Sequence, residues 1–391
     1  MKLKKIIRYS TQNIERKDIN SVIDALKSDF ITEGPIIKKF EISLCKYTKS
    51  KNATIVNSAS TGLLIACQAI NLTSKDTLWT TPITFVSSAN CAFYFGAKVD
   101  FVDINSDSFN IDIDKLEKKL IFSKKKNKLP KILVAVHLGG NPCDLKELKR
   151  LSLKYKFCIV EDASHALGST YKDIKIGNSK YSDITVFSFH PVKSITTGEG
   201  GAVLTNNKKL HEKIQSMRSH GIVKSKSQLN IKNKPGWYYE QKYLSSNFRM
   251  SSLQAALGVS QMLRLNKFIQ KRNFISKIYE NELPRKNLKF QKIDKNNLSS
   301  RHLFIVYVKN NLRDKLYNFL KKNNIQTNLH YIPIYRHPFY KKNKFKRENF
   351  VNSEEYYSKA LSLPVHYNLT EKQLQYIIKK IKIFFQKINY D

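Results

Sequence analysis

The sequence predicts an α/β protein, with a mostly parallel central sheet in a large unit and a smaller α/β unit after it. Three observations carry this. Short apolar runs alternate with segments of helical periodicity between residues 53 and 204, the order that builds parallel strands joined by crossover helices. After residue 262 the order changes to a long helix, a strand, a helix and a closing helix. A chain of 391 residues also exceeds what one hydrophobic core usually serves, so we expect two units, 1–250 and 251–391.

Taken in order, residues 14–28 place Ile19, Val22, Ile23 and Leu26 on one helical face, and the Gly34-Pro35 break leads into a second helix over 36–47. Residues 53–56 read as a strand, and Ser58-Ala59-Ser60-Thr61-Gly62 opens a helix running to about Ile70. A strand over 78–81 and a helix over 86–95 follow, then strands over 98–103 and 131–137, a helix over 144–155 and a strand over 157–161. Val186 begins an apolar alternation that Ala202, Val203 and Leu204 resume beyond a tight turn, with a helix near 210–218 after it. Residues 224–234 are polar and glycine-poor, and read as a loop. Leu253, Ala256, Leu257 and Met262 mark another helix, 302–308 a strand and 313–322 a helix. Thr370 with Gln373 forms a capping-box signature for the closing helix, whose buried stripe is Leu374, Ile377, Ile381, Phe384 and Ile388.

Composition narrows the functional classes. No apolar run approaches the roughly 20 residues that span a bilayer, and the basic residues 1–10 lack the apolar stretch of a signal peptide, so a cytoplasmic protein without membrane contact is expected. The five cysteines (Cys45, Cys67, Cys91, Cys143, Cys158) include no Cys-x-x-Cys pair, so neither a disulfide framework nor a metal site is expected. A formal net charge of +38 would suit a nucleic-acid binder, but the lysines are spread along the whole chain without a basic stripe. They also outnumber the arginines, whereas phosphate forks and base readout favour arginine. We expect no nucleic-acid partner, and a charge that draws in anionic substrates.

The chemistry concentrates in residues 186–201, VFSFHPVKSITTGEGG, where Lys193 stands at the apex of a turn. An amine enclosed in a part-apolar turn loses hydration, its pKa falls, and it becomes a nucleophile toward an aldehyde. Taken alone, Lys193 reads as one more solvated lysine in a lysine-rich chain. The helix start at Ser60 and Thr61 offers unpaired amides and a positive dipole end to a phosphate, although an ordinary Ser/Thr cap looks the same. Glu161 and Asp162 follow an apolar strand at its carboxyl end, where a carboxylate requires a partner.

These stretches, together with ITEGP (31–35), NSASTGL (57–63), WTTPITFVSSAN (79–90), VEDASHALG (160–168), PGWYYE (235–240), NFRMSSLQAALG (247–258) and LHYIPIYRHPFY (329–340), keep their order over most of the chain. They resemble the DegT/DnrJ/EryC1/StrS family of sugar-nucleotide aminotransferases, which use pyridoxal 5′-phosphate. The resemblance implies the aspartate-aminotransferase-like fold (fold type I) and a homodimer with shared active sites. It implies transfer of an amino group from an amino-acid donor, glutamate, to C4 of a UDP-linked 4-keto-6-deoxy N-acetyl sugar, with a dTDP-linked or 3-keto sugar as the alternative. It assigns Lys193 the Schiff base with the cofactor and Asp162 the protonated pyridine nitrogen. Ser60, Thr61 and Ser188 fall to the phosphate, with Thr196 and Thr197 supporting the turn, and Phe85 falls to the ring face, where a core phenylalanine would look identical. His165 is implied either as a contact to the ring or its phenolic oxygen or as a structural hydrogen bond. Asn247 is implied to reach the partner chain's cofactor phosphate, and His330, Tyr331 and Arg249 to bind the sugar nucleotide. The chain departs from the family pattern in having serine before Asn247 in place of glycine, and Tyr335 and His337 where His and Gln are commoner. A family dehydratase would carry histidine in place of Lys193.

Overall fold

The computed structural model describes residues 5–388 except 226, 232 and 344. Residues 1–4 of the basic opening segment, and Lys226 and Lys232 of the polar 224–234 stretch, therefore lie outside the described residues. Seven strands form the central sheet: β1 (Asn52–Val56), β2 (Thr77–Thr80), β3 (Lys98–Phe101), β4 (Ile132–Val136), β5 (Cys158–Asp162), β6 (Ile184–Ser188) and β7 (Gly201–Thr205). Their spatial order is β1-β7-β6-β5-β4-β2-β3. β6, β5, β4, β2 and β3 run parallel, and β7 is the reversed strand, antiparallel to both β1 and β6.

The strands read as nearly continuous apolar runs because both faces of the sheet are covered. Ile55, Leu133, Ile159, Phe187 and Leu204 turn to one face, against α2 (Pro35–Thr48), α5 (Ile113–Lys125) and α6 (Leu145–Tyr155). Val56, Val134, Val160, Val186 and Val203 turn to the other, against α3 (Ala59–Ala69), α4 (Ser87–Phe93) and α7 (Lys208–Arg218). This alternation decides where β5 sends its two acids, since side chains along a strand point to opposite faces. Glu161 goes to the α5/α6 side, where its carboxylate meets His137 at 2.7 Å and accepts from Thr185 at 3.1 Å and from Ser182. Asp162, one residue on, goes to the α4 side.

The sequence reading passes over α5. Asp112 caps it by accepting the Lys115 N–H at 2.9 Å, and Leu116 and Leu120 are its buried face. Lys115 and Lys119 pair with Asp103 and Asp100 at the sheet edge, while Lys124 and Lys125 lie in the last turn, where they complement the helix dipole.

A second, antiparallel sheet is built from β8 (Leu288–Phe290), β9 (Phe304–Val308) and β10 (Ala360–Leu363). It packs with α9 (Leu265–Glu282), α10 (Arg313–Lys322) and α12 (Glu371–Ile388), while α11 (Val351–Lys359) precedes β10. Thr370 and Gln373 exchange both capping-box bonds, at 3.0 and 3.2 Å. Residues from the chain's beginning join this unit, because Ile7 pairs with Ile325 and the Tyr9 carbonyl accepts the Val365 N–H. In contrast, α8 (Ser252–Met262), expected in the small unit, packs on α2 and on α1 (Arg16–Leu26). Leu265, Phe268 and Ile269 of α9 enter the first core, whereas Ile275 and Tyr279 enter the C-terminal one. We therefore propose that the division lies inside α9 and not at 250/251, because the apolar face of α8 is already spent on the large unit.

One buried ionic cluster locks α1 in place. Asp18 is fully enclosed and accepts from Ser260 at 2.6 Å, from Gln261 at 2.9 Å and from Arg264. Removing one partner of a buried pair leaves the other charge uncompensated, so Asp18→Ala should cost about 3–5 kcal/mol. Urea unfolding followed by circular dichroism checks this, and a midpoint equal to that of the parent chain would show that the cluster adds no stability.

Candidate active site

The reversal of β7 positions Lys193. Because β6 and β7 are antiparallel neighbours, residues 189–200 return as one loop at the carboxyl end of β6, the edge where parallel sheets place ligands. The Phe189 N–H donates to Gly200 O and the Thr197 N–H to Phe189 O, each at 2.9 Å. Thr196 Oγ1 donates to Phe189 O at 3.2 Å and Thr197 Oγ1 to Glu199 O at 2.6 Å, so both threonines stiffen the loop. The Val192 carbonyl accepts from Ser10 Oγ at 3.1 Å, and the Arg272 guanidinium of α9 stands 3.5 Å from it. Held this way, the Lys193 amine loses hydration and is pushed down from 10.5 to about 8, while the nearby Asp162 charge works against the fall.

Asp162 ends β5, beside β6, and is buried. Its Oδ2 accepts from Ser88 Oγ at 2.6 Å, and its Oδ1 accepts the Ser164 N–H at 3.1 Å. Ser88 is in turn 2.8 Å from Thr84 Oγ1. The sequence reading missed both hydroxyls, because they matter only through Asp162, in a distant segment.

Three histidines gather around the lysine, and all are neutral. The Gly139 N–H donates to His165 Nδ1 at 3.3 Å, which leaves the ring proton on Nε2, 3.0 Å from Tyr331 Oη. Burial pushes His165 well below 6.5, and the Lys193 charge pushes it the same way. His302 lies with its ring 4.3 Å from that of His165 and is likewise lowered by burial. His330 bonds Ser362 Oγ through Nδ1 at 2.9 Å, and burial brings it to about 3. Burial followed by the Asp162 charge raises the Tyr331 phenol, so it stays protonated. Since Tyr331 Oη accepts from His165, its own proton is free to be offered elsewhere. Phe85 is 55% exposed and stands with its ring 6.1 Å from that of Tyr331, on the open side of the cluster.

A second end of the site lies at the start of α3. Ser188 pairs opposite Gly201 in the β6/β7 ladder, and a Cβ on Gly201 would lie 2.6 Å from Ala59 N and from Ser58 C. Only glycine lets β7 approach the first turn of α3 so closely. Ser58 Oγ accepts the Thr61 N–H at 3.2 Å, and the Thr61 hydroxyl donates to Asn57 Oδ1 at 2.7 Å, so Thr61 is committed to the cap while Ser60 is exposed. The turn thus presents a helix N-terminus, suited to an anion, next to Ser188.

Not every expected residue joins the cluster. Arg249 bonds Ser219 Oγ at 2.6 Å and pairs with Glu33 at 3.8 Å. Asn247 is exposed, its side-chain oxygen accepting the Arg249 N–H at 3.2 Å. Tyr335 is a core residue, stacked on Phe350 and donating to Glu354 at 2.7 Å, so its departure from the family pattern falls in packing.

A nucleophilic amine, an oriented carboxylate and an anion cradle on one sheet edge are the parts of a carbonyl-transfer site. The profile of the DegT/DnrJ/EryC1/StrS aminotransferase family matches residues 12–382. The chain belongs to this family. It is 38% identical to the UDP-4-amino-4,6-dideoxy-N-acetyl-beta-L-altrosamine transaminase of Campylobacter jejuni, over 98% of each chain. A Helicobacter pylori aminotransferase involved in the biosynthesis of pseudoaminic acid matches in structure with a TM-score of 0.89 at 31% identity, covering 98% of this chain and all of that one. A Streptococcus pneumoniae chain solved in its PLP form matches with a TM-score of 0.88 at 27% identity, covering 98% and 99%. The central sheet with both faces covered is thus the fold type I architecture of these enzymes.

The lowered amine has a measurable consequence. Only the neutral form attacks an amine-directed reagent, so the reactivity of Lys193 should rise with pH and level off above about 8. An ordinary lysine, with a pKa of about 10.4, is still gaining there. Asp162→Asn removes the charge that holds the amine up, so the plateau should move to lower pH. Mass spectrometry of the Lys193 peptide reads both profiles, and a midpoint near that of ordinary lysines would show a hydrated amine.

Proposed function

We propose that this chain is a pyridoxal 5′-phosphate-dependent aminotransferase acting on C4 of a UDP-linked 4-keto-6-deoxy N-acetyl sugar, with glutamate as donor. We place it in the cytoplasm; among the described residues no helix is long and apolar enough to cross a membrane. The observation that carries the reading is the Lys193 amine at about 8, enclosed beside Asp162 at the carboxyl edge of the sheet. The substrate class is supported by the transaminase relatives matched over nearly the whole chain.

The residues present fit this cofactor. Gly201 lets β7 close on the start of α3, which brings that helix N-terminus and Ser60 near Ser188 for a phosphate, Lys193 supplies an amine for the aldehyde, and Asp162 is set for the ring nitrogen. When bound, pyridoxal 5′-phosphate supplies an aldehyde carbon and an electron-withdrawing ring. Lys193 would hold that carbon, and its Nζ, brought to about 8 by burial, would take up and return a proton there. Asp162 would keep the ring nitrogen charged. Phe85 covers one side of the slot and keeps water from it. Tyr331, with its proton turned away from His165, offers a donor toward the sugar, and His330 stands behind it.

Lys193→Ala should keep part of its affinity for the cofactor through the phosphate end, yet lose both the lysine-linked absorbance band and turnover. Product mass spectrometry over a panel of UDP- and dTDP-linked ketosugars decides the substrate. Amination of the UDP-linked 4-keto sugar is expected, and amination of the dTDP-linked or 3-keto sugars alone would replace the proposed substrate.

We further propose a two-fold dimer in which Asn247 completes the partner's phosphate site. Asn247 is exposed, and the exposed Leu244 and Tyr94 beside Ser246 and Phe248 give its surroundings an apolar surface suited to self-association. Lys193→Ala and Asn247→Ala chains, each impaired alone, should regain activity when unfolded and refolded together. Random reassortment makes about half the dimers mixed, each with one intact site, so about a quarter of all sites should recover. Activity equal to the mean of the two variants would mean that Asn247 serves its own chain.

A further inference from the structure

The Asp162 carboxylate is held by a hydroxyl chain from the start of α4 and the turn before it, and that chain has a direction. Ser88 and Thr84 are both buried, and Ser88 Oγ donates to Asp162 Oδ2 at 2.6 Å. A hydroxyl has one proton. With its proton on Asp162, Ser88 can only accept across the 2.8 Å contact with Thr84, so Thr84 is the donor there. The polarity runs from Thr84 through Ser88 to Asp162.

This arrangement goes against local preference. A serine or threonine inside a helix commonly returns its proton to a carbonyl of the preceding turn. Ser88 spends its proton on a side chain 74 residues away in sequence. Its neighbours on the buried side of α4 are Ala89, Cys91 and Ala92, small residues that bring the helix close to the sheet edge. Asp162 Oδ1 is meanwhile fixed by the Ser164 N–H, so each oxygen of the carboxylate has one protein donor. Two donors, one on each oxygen, fix the rotamer of the carboxylate.

We propose that Ser88, polarised by Thr84, is a positioning residue of the aminotransferase reaction. It orients Asp162, so that the carboxylate charge stays set against the cofactor's ring nitrogen. The inference rests on the assignment of Asp162 to that nitrogen.

Ser88→Ala deletes the donor, Ser88→Thr restores a hydroxyl, and Thr84→Val removes only the polarising partner while keeping shape. A hydrogen bond to a charged group is worth about tenfold in an equilibrium, equivalent to about one pH unit. In the cofactor-loaded protein, Ser88→Ala should move the pH midpoint of the cofactor's absorbance band upward by about one unit and lower kcat about tenfold. KM for the amino donor should change little. Thr84→Val should move both in the same direction by less, and Ser88→Thr should return them toward the parent values. A folded Ser88→Ala protein with an unshifted absorbance titration and unchanged kcat overturns the proposal. If Ser88→Ala fails to fold, Thr84→Val decides, and an unshifted titration there overturns it equally. Absence of any cofactor band in the parent chain, with no borohydride-stable adduct on Lys193, would instead sink the functional reading itself.

Discussion

The site depends on keeping one amine out of water without surrendering it to a salt bridge. A buried lysine facing a free carboxylate would be held as the ammonium, and an isolated buried lysine would fall far below neutrality. Here the two effects oppose each other, and the amine settles near 8. The compromise works because Asp162 is already engaged by Ser88 and Ser164, so its charge is shared before it reaches Lys193. The surrounding histidines reinforce it. Because burial keeps His165, His302 and His330 neutral, they place no further positive charge around Lys193, which would depress the amine more.

The loop that holds the lysine follows from one reversed strand. A parallel β6-to-β7 connection would need a crossover helix and would carry the chain away from the sheet edge. The antiparallel return keeps all twelve loop residues at that edge and also lays Gly201 against the start of α3. One topological choice therefore sets the distance between the lysine and the anion cradle. The large positive net charge assists in a less specific way, by raising the local concentration of an anionic sugar nucleotide.

How much of this was legible in the sequence depended on the range of the interaction. The strand runs, the Ser58 cap and the Thr370 capping box are local patterns, and the structure has them within a residue or two of where periodicity put them. The α5 helix was hidden because its lysines mask a two-residue apolar stripe, Leu116 and Leu120. Ser88, Gly139 and Arg272 were not legible at all, since each matters only through a partner in a distant segment: Asp162, His165 and the carbonyls of Val192, His302 and Val365. Tyr335 shows that a departure from the family pattern can fall in packing. It lies in the LHYIPIYRHPFY stretch that carries the family resemblance, yet Ile334, Tyr335 and Tyr340 turn inward and fill the core beside α4.

The C-terminal unit contributes more than a cover. Tyr331, His330 and His302 come from segments that lead into or flank the small sheet, while Lys193, Asp162 and His165 hang from the large one. The Tyr331–His165 bond and the His302–His165 contact are therefore bonds between units, and the geometry of the site is set by how the two units meet. Arg272 sits at this junction. Its guanidinium donates to Val365 O at 2.6 Å and His302 O at 3.2 Å, and it approaches the loop carbonyl next to Lys193. A buried cation paired only with carbonyls is expensive, and burial has brought it down to about 10. Such a group is retained where its fork joins segments that apolar packing alone would let slide, since guanidinium bonds are directional and dispersion contacts are not. The same α9 that carries Arg272 lends residues to both cores, so one helix joins the C-terminal core, the large unit and the lysine loop.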